Sequence, residues 1–261
     1  MAKRKRLAVW KLTSCDGCQL SLLDCEDELL MVAQEIEIAY FMEATSHVQP
    51  GPYDLSLVEG SISTPEQLEQ IKKIRAESKL LVTIGACATS GGIQALRNFA
   101  KVEEFIKTVY THSQYIETLA TSTAVSEHVF VDFELQGCPI SKKQLIEVLS
   151  SFLNGKKPFI PDYSVCVECK MAEVACLSVT QGIACLGPIT HGGCEALCPR
   201  YERGCFGCFG PKELSQPQAW GDYLLKKGCV KTFEWIRLLR TFQTGASGFA
   251  KESERHGKEK N

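Results

Sequence analysis

Fourteen of the 261 residues are cysteine, and their spacing is the first chemical signal in the chain. Cys15 and Cys18 form a C-x₂-C pair, with Cys25 seven residues further on. Cys87 sits in "GACATSGG" and Cys138 in "QGCPI". Eight more run from Cys166 to Cys208, with C-x₂-C pairs at both ends of the run. A C-x₂-C pair serves a redox disulfide, half a zinc site or half an iron–sulfur site. No charged start followed by an apolar run and a cleavage site is read, and no window reaches the roughly 18 apolar residues of a membrane span. The expected location is therefore the reducing cytoplasm, where clustered cysteines bind metal more often than they pair as disulfides.

The elements that position these thiols are legible over the first 155 residues as alternating β and α segments. "LAVWKL" is an apolar strand running toward Cys15, followed by helix-like spacing at Leu22, Leu23, Leu29, Leu30 and Ala33. "IEIAYF" and "YDLSLVEG" are β-like. "STPEQLEQIKKIRAES" opens with Thr64, Pro65 and Gln67, a capping box with proline at the first helical position, and Leu68, Ile71 and Ile74 share one face. "KLLVTIGACA" reads as a central parallel strand covered on both faces, "HVFVDFELQGCP" as another strand, and "ISKKQLIEVLSSFLNG" as its helix. Alternation of this kind predicts an α/β fold with a doubly wound parallel sheet.

Composition changes at "NGKKPFIPDYS", where glycine, prolines and a lysine pair mark a boundary near residues 155 to 162. Beyond it lies a smaller cysteine-rich domain of irregular and α structure, over residues 163–212, with little hydrophobic periodicity. It is expected to lack a normal core and to need inorganic staples. "DYLLKKGCVKTFEWIRLLRTF" predicts one amphipathic helix or two short ones within residues 213–245, and residues 246–261 are expected to be a disordered tail.

In the first domain Cys15 and Cys18, Cys87, and Cys138 each follow a predicted strand. The carboxyl ends of parallel strands lie along one sheet edge, where ligands bind at the topological switch point. Four thiols from three strand-end loops can therefore converge, and four thiolates are what a [4Fe–4S] cluster needs. Gly17, Gly85, Gly91, Gly92 and Gly137 would let backbone approach it, with Pro139 beside Cys138. The weaker alternatives are a thioredoxin-like pair, which leaves Cys87 and Cys138 idle, and a structural zinc, which suits loop-rich modules better than a sheet edge. A phosphate cradle is disfavoured because "GACATSGG" lacks the GK[ST] ending. Cys25, two turns down a helix from Cys18, reads as a buried inert thiol.

The eight later cysteines make two sets of four by proximity: Cys166, Cys169, Cys176 and Cys185, then Cys194, Cys198, Cys205 and Cys208. Cys198-Pro199 echoes the cysteine–proline step of bacterial ferredoxins. Interleaving between the sets stays open, His191 is a possible substitute ligand better read as a solvated loop histidine, and Cys229 reads as structural. Zinc knuckles are the rival, but the inserts "VE", "KMAEVA" and "LSVTQGIA" are near neutral and Lys170 and Arg200 are isolated, unlike the basic and aromatic inserts of nucleic-acid modules. A net charge of −2 gives no field toward nucleic acid or an anionic membrane, and the basic run Lys3–Arg6 reads as a solvated terminus. The acidic residues Asp24, Glu26, Asp27 and Glu28 read as a solvated helix face, with a basic partner surface as the alternative.

Taken together, "TSCDGCQ", "VEGSI", "GACATSGG", "QGCPI" and "CLGP…GGC…CP…CFGCFGP" resemble the small subunit of a [NiFe] hydrogenase, over about residues 5 to 212. The resemblance is to the cytoplasmic, multi-subunit, pyridine-nucleotide-linked group that includes sulfhydrogenase δ subunits. It implies a flavodoxin-like first domain whose Cys15, Cys18, Cys87 and Cys138 hold a proximal cluster, with Glu59 and Gly60 nearby. It implies a distal cluster on Cys166, Cys169, Cys176 and Cys185, and a medial one on Cys194, Cys198, Cys205 and Cys208, for three [4Fe–4S] clusters in all. It also implies a separate large subunit carrying the Ni–Fe site, flavin- and iron–sulfur-bearing diaphorase-type partners that reduce NAD(P) or sulfur, and no catalytic residue in this chain.

The pattern departs from that of membrane-bound and periplasmic relatives in five ways. The twin-arginine signal and C-terminal anchor are not found. Cys166 stands where those relatives often have a distal histidine, and Cys198 supplies a fourth medial cysteine. Gln19 stands where many have glutamate, which puts a proton-relay role at that position in doubt. The complex I subunit that shares the α/β domain uses adjacent cysteines and lacks the eight-cysteine extension. A complex I-like or stand-alone iron–sulfur carrier is the alternative reading, and a zinc-binding interaction module a weaker one.

Overall fold

The computed structural model describes residues 4–26, 28 and 36–257, which divide into two compact units between Phe159 and Ile160. The first unit is built on five parallel strands: β1 (Lys5–Lys11), β2 (Ile36–Phe41), β3 (Tyr53–Glu59), β4 (Ser78–Ile84) and β5 (Phe133–Leu135). Their order in the sheet is β2-β1-β3-β4-β5, so the direction of winding reverses between β1 and β3. Leu7, Ala8 and Val9 of β1, Leu55, Leu57 and Val58 of β3, and Leu81, Val82 and Ile84 of β4 are all buried. Unbroken burial along a strand is the mark of a parallel sheet covered on both faces. The fold is α/β, as the alternation predicts.

Helix α1 (Gly17–Leu23) follows β1 directly. The predicted helical positions Leu29, Leu30 and Ala33, with Asp27 of the acidic run and Lys3 of the basic run, lie outside the described residues. Helix α2 (Pro65–Glu77) begins at the capping box: Gln67 N–H donates to Thr64 Oγ1 at 3.3 Å, and Thr64 N–H donates to Gln67 Oε1 at 3.2 Å. Ile71 and Ile74 are buried from it against the sheet. Helix α3 (Gly85–Ser90), helix α4 (Val102–Val109) and helix α5 (Lys142–Leu153) complete the first unit's α-helices among the described residues.

Two strands are shorter than expected. β4 stops at Ile84 because Gly85 takes φ +86° and turns the chain straight into α3, so Cys87 lies on a helix rather than at a strand tip. β5 keeps three residues of the predicted "HVFVDFELQGCP". Just before it, the Asp132 carboxylate accepts the Leu81 N–H at 2.8 Å and pairs with Arg75 at 2.7 Å, so a side chain stands where a ladder bond would continue.

The second unit has α6 (Val165–Met171), the single turns α7 (Leu177–Thr180) and α8 (Leu197–Arg200), then α9 (Pro217–Lys226), α10 (Thr232–Leu239) and α11 (Ser247–Gly257). Two expectations fail here. The cysteine-rich stretch does share a hydrophobic core: Val165, Leu186, Ile189 and Ala196 pack with Leu224, Trp235, Leu239 and Phe249. Its apolar partners come from the later helices, so the stretch needs no hydrophobic periodicity of its own. Nor is the tail from residue 246 disordered, because α11 buries Phe249, Glu252, Ser253 and His256. Residues 258–261 lie outside the described residues. The Glu252 carboxylate accepts from Trp235 Nε1 at 3.2 Å and pairs with Arg255 at 2.9 Å, giving a charged, polar-looking segment a buried anchor. The amphipathic stretch makes two helices broken at Gly228, with φ +71°. Among the described residues, no helix is long and apolar enough to cross a membrane.

Trp235 is fully buried at the centre of this core. Trp235→Ala is expected to cost about 3–5 kcal/mol of stability, and hydrogen exchange should show faster opening of α9 and α11.

Candidate metal centres

The first centre forms at the switch point. Cys15 and Cys18 leave the end of β1, with Cys18 on the first turn of α1; Cys87 lies on α3 after β4, and Cys138 follows β5. Close backbone approach knits these loops together. Ala86 N–H donates to Gly137 O at 2.8 Å, tying the β4 exit to the β5 exit. A Cβ at Gly85 would collide with Cys18 Sγ and sit 3.6 Å from Gly137 O, and Gly85 also holds φ +86°, so glycine is required there on both counts. A Cβ at Gly17 would lie 3.4 Å from Cys15 Sγ and 3.8 Å from Pro139. Gln94 donates to Thr13 O at 3.1 Å while its Oε1 lies 3.5 Å from Cys87 Sγ, joining the third loop to the first.

Burial opposes charge on these thiols. It pushes Cys18 well up, with Glu59 adding to the effect, and raises Cys87 to about 11 and Cys138 above its ordinary value. Cys18 feels Cys138 and Cys87; Cys87 feels Cys138 and Cys15; Cys138 feels Cys15. Each of the four thiols expected from strand-end logic thus lies within electrostatic reach of at least one of the others. Glu59, only 1% exposed at the end of β3, accepts the Cys18 N–H on Oε1 at 3.1 Å and the Gln19 N–H on Oε2 at 3.4 Å. It therefore fixes the turn that presents Cys18, and burial raises its own pKa. Cys25 is apart from them, buried with its Sγ directed to Ser21 O at 3.2 Å.

In the second unit Cys166 and Cys169 lie three apart on α6, Cys176 caps α7 and Cys185 sits in the loop after it. Cys166 and Cys185 Sγ both come within 3.5 Å of the Cβ position of Gly187. Burial first, and then other thiols of the same set (with Cys194 as well for Cys169), raise Cys166 and Cys169 to about 11. In the following set Cys194 feels Cys198, and Cys205, almost fully buried, feels Cys185, Cys208 and Cys194. The two sets adjoin: Cys205 N–H donates to Cys185 Sγ at 3.2 Å. Gly187 N–H reaches the same sulfur and Gly207 N–H reaches Cys205 Sγ, both at 3.4 Å. Trp220 Nε1 holds the Cys185 carbonyl at 2.7 Å. His191 is half-buried beside Asp162. Cys229 packs against the hydrophobic core.

The donor chemistry can be tested against a metal. A single zinc ion needs its ligands to meet at one point. Among the described residues of the metal-free chain, no three Cys, His, Asp or Glu side chains are closed on one ion position, which distinguishes no metal from another. Soft thiol donors beside close-packed glycines, with backbone N–H groups aimed at Cys185 and Cys205 Sγ, fit an iron–sulfur group.

Residues 15–152, just over half of the chain, match the family described as NADH ubiquinone oxidoreductase, 20 Kd subunit. The sulfhydrogenase 2 subunit delta of Pyrococcus furiosus is 39% identical over 238 residues, covering 91% of this chain and 98% of its own. The chain belongs to this family of hydrogenase electron-transfer subunits. Another member, an iron-sulfur subunit of the F420-non-reducing hydrogenase of Archaeoglobus profundus, is 25% identical, covering 79% of this chain and 82% of its own. A chain of an NAD+-reducing [NiFe]-hydrogenase solved in the H2-reduced state superposes with a TM-score of 0.56 at 28% identity, over 61% of this chain and 96% of that one.

Two residues of this family member escape motif reading. Gln94 lies beyond "GACATSGG" and is found only through the loop packing. Glu168, the one charged residue inside the "CVEC" pair, is hidden because that insert reads as near neutral. Gly85→Ala is expected to push Cys18 Sγ outward and to cost at least about 1–2 kcal/mol for the positive φ alone. Faster alkylation of Cys18 in the metal-free chain, with a lower melting temperature, would register both effects.

Proposed function

We propose that the chain is the electron conduit of a cytoplasmic [NiFe] hydrogenase complex, holding three [4Fe–4S] clusters. Cys15, Cys18, Cys87 and Cys138 would bind the proximal cluster. Cys166, Cys169, Cys176 and Cys185 would bind the distal one, and Cys194, Cys198, Cys205 and Cys208 the medial one. The observation that carries this reading is the gathering of Cys15, Cys18, Cys87 and Cys138, from three separate strand exits, around the glycine-lined switch point. Such clusters, when bound, supply one-electron carriers whose potentials follow charge, hydrogen bonding and burial.

The chain's own contribution is positional. Glu59 holds the Cys18 turn, Gln94 links the Cys87 loop to β1, and Gly85 leaves room for sulfur beside the backbone. N–H groups of Gly187, Cys205 and Gly207 aimed at sulfur stabilise negative charge there. The partners in this reading are a large subunit bearing the Ni–Fe site and a flavin- and iron–sulfur-bearing diaphorase-type subunit that reduces NAD(P) or sulfur.

Anaerobic purification is expected to yield a brown chain with about twelve irons and matching acid-labile sulfide, as three cubanes require. A colourless chain with stoichiometric zinc would end this reading. Cys87→Ser should remove about a third of the iron or convert that cluster, with loss of H2-dependent dye reduction in the complex. Co-purification of a nickel-containing subunit separates a hydrogenase conduit from a stand-alone or complex I-like carrier, for which nickel would be absent.

A further inference from the structure

One buried charged side chain among the later cysteines has no role in the ligand sets. Glu168 lies between Cys166 and Cys169 on α6 and is 7% exposed. Its carboxylate faces the loop that bears Cys194 and Cys198. Gly193 N–H donates to Oε1 at 2.7 Å, Ala196 N–H donates to Oε2 at 3.1 Å, and Cys194 Sγ lies 3.9 Å from Oε2. Among the described residues, no lysine or arginine forms a salt bridge with it. The loop needs such a holder. Gly193, Glu195 and Ala196 have φ of +141°, +55° and +55°, and Ala196 is fully buried in a conformation that L-residues disfavour. The bend turns two N–H groups inward, and both end on this one carboxylate, in the manner of a backbone nest closing on an anion.

We propose that Glu168 is a positioning residue joining the two ligand sets. From the helix that carries Cys166 and Cys169, it holds the Cys194–Cys198 loop in shape. It also sets a negative charge beside Cys194, which lowers the reduction potential of the group on Cys194, Cys198, Cys205 and Cys208. The inference rests on reading those four as iron–sulfur ligands. The physical basis is simple: reduction adds an electron, and a nearby buried negative charge makes that addition less favourable. Because the carboxylate belongs to one set's helix and touches the other set's loop, it separates the potentials of two adjoining groups.

The test uses the anaerobically purified complex containing the full chain, with EPR-monitored redox titration. Cys205→Ser first identifies the signal belonging to the second set. Glu168→Gln keeps size but removes charge. It is expected to retain its iron and to shift that signal's midpoint to more positive potential, by about tenfold in the reduction constant, or 59 mV for one electron. A fully loaded Glu168→Gln protein with unmoved potentials would overturn the proposal. If the glutamine variant loses the second-set signal, Glu168→Asp decides: regained signal supports the carboxylate's role, and continued loss overturns it. Cys194→Ser is the separate control. If that variant keeps all its iron and an unaltered signal, the ligand reading fails, whatever Glu168 does.

Discussion

Thiolate charge is costly in a protein interior, and every grouping of cysteines in this chain lives under that constraint. Burial, the largest cause, together with neighbouring charges pushes Cys87, Cys166 and Cys169 to about 11 and raises Cys18 and Cys205 well above the ordinary thiol value, so the polypeptide favours neutral thiols at each of these positions. Each neighbouring sulfur adds to the same pressure. A cationic group is what reverses it, since metal binding takes up thiolates and releases their protons. The architecture keeps the sulfurs near one another until that compensation arrives. The same constraint explains why N–H groups converge on Cys185 and Cys205.

The two units meet this demand by different means. In the first, the winding reverses between β1 and β3, which makes the carboxyl edge of the sheet a topological switch point. The central strands β1, β3 and β4 behind it are buried over most of their length, so the loops inherit fixed starting points. In the second, the sulfurs sit on short helices and turns with few ladder bonds of their own. Rigidity there comes from a core supplied by α9, α10 and α11, with Trp235, Leu224 and Phe249 packed under Val165 and Leu186.

Much of this could be read without coordinates, for identifiable reasons. Period-2 and unbroken apolar runs mark β1 to β4, and Thr64-Pro65-Gln67 marks the start of α2, because these signals act over a few neighbouring residues. The gathering of Cys15, Cys18, Cys87 and Cys138 follows from strand-end geometry, a rule of topology more than of local pattern. What escaped depends on contacts distant in sequence. Nothing near Ser247 predicts that a charged tail will fold, since α11 is stabilised by Glu252 reaching Trp235 on another helix. Glu168 was invisible for the same reason, its partners lying 25 and 28 residues further along. β4 ends before its apolar run does because one glycine at positive φ outweighs that run.

The parallel pairing of β5 with β4 has a consequence for how the protein is made. Cys138 reaches its place only when β5 has docked beside β4, yet Cys15 leaves the ribosome more than a hundred residues earlier. Closing so long a loop is slow relative to helix formation and carries an entropic penalty. On the proposed ligand reading, the early thiols wait as an incomplete set. The full set of four thiols exists only once the edge strand has been added.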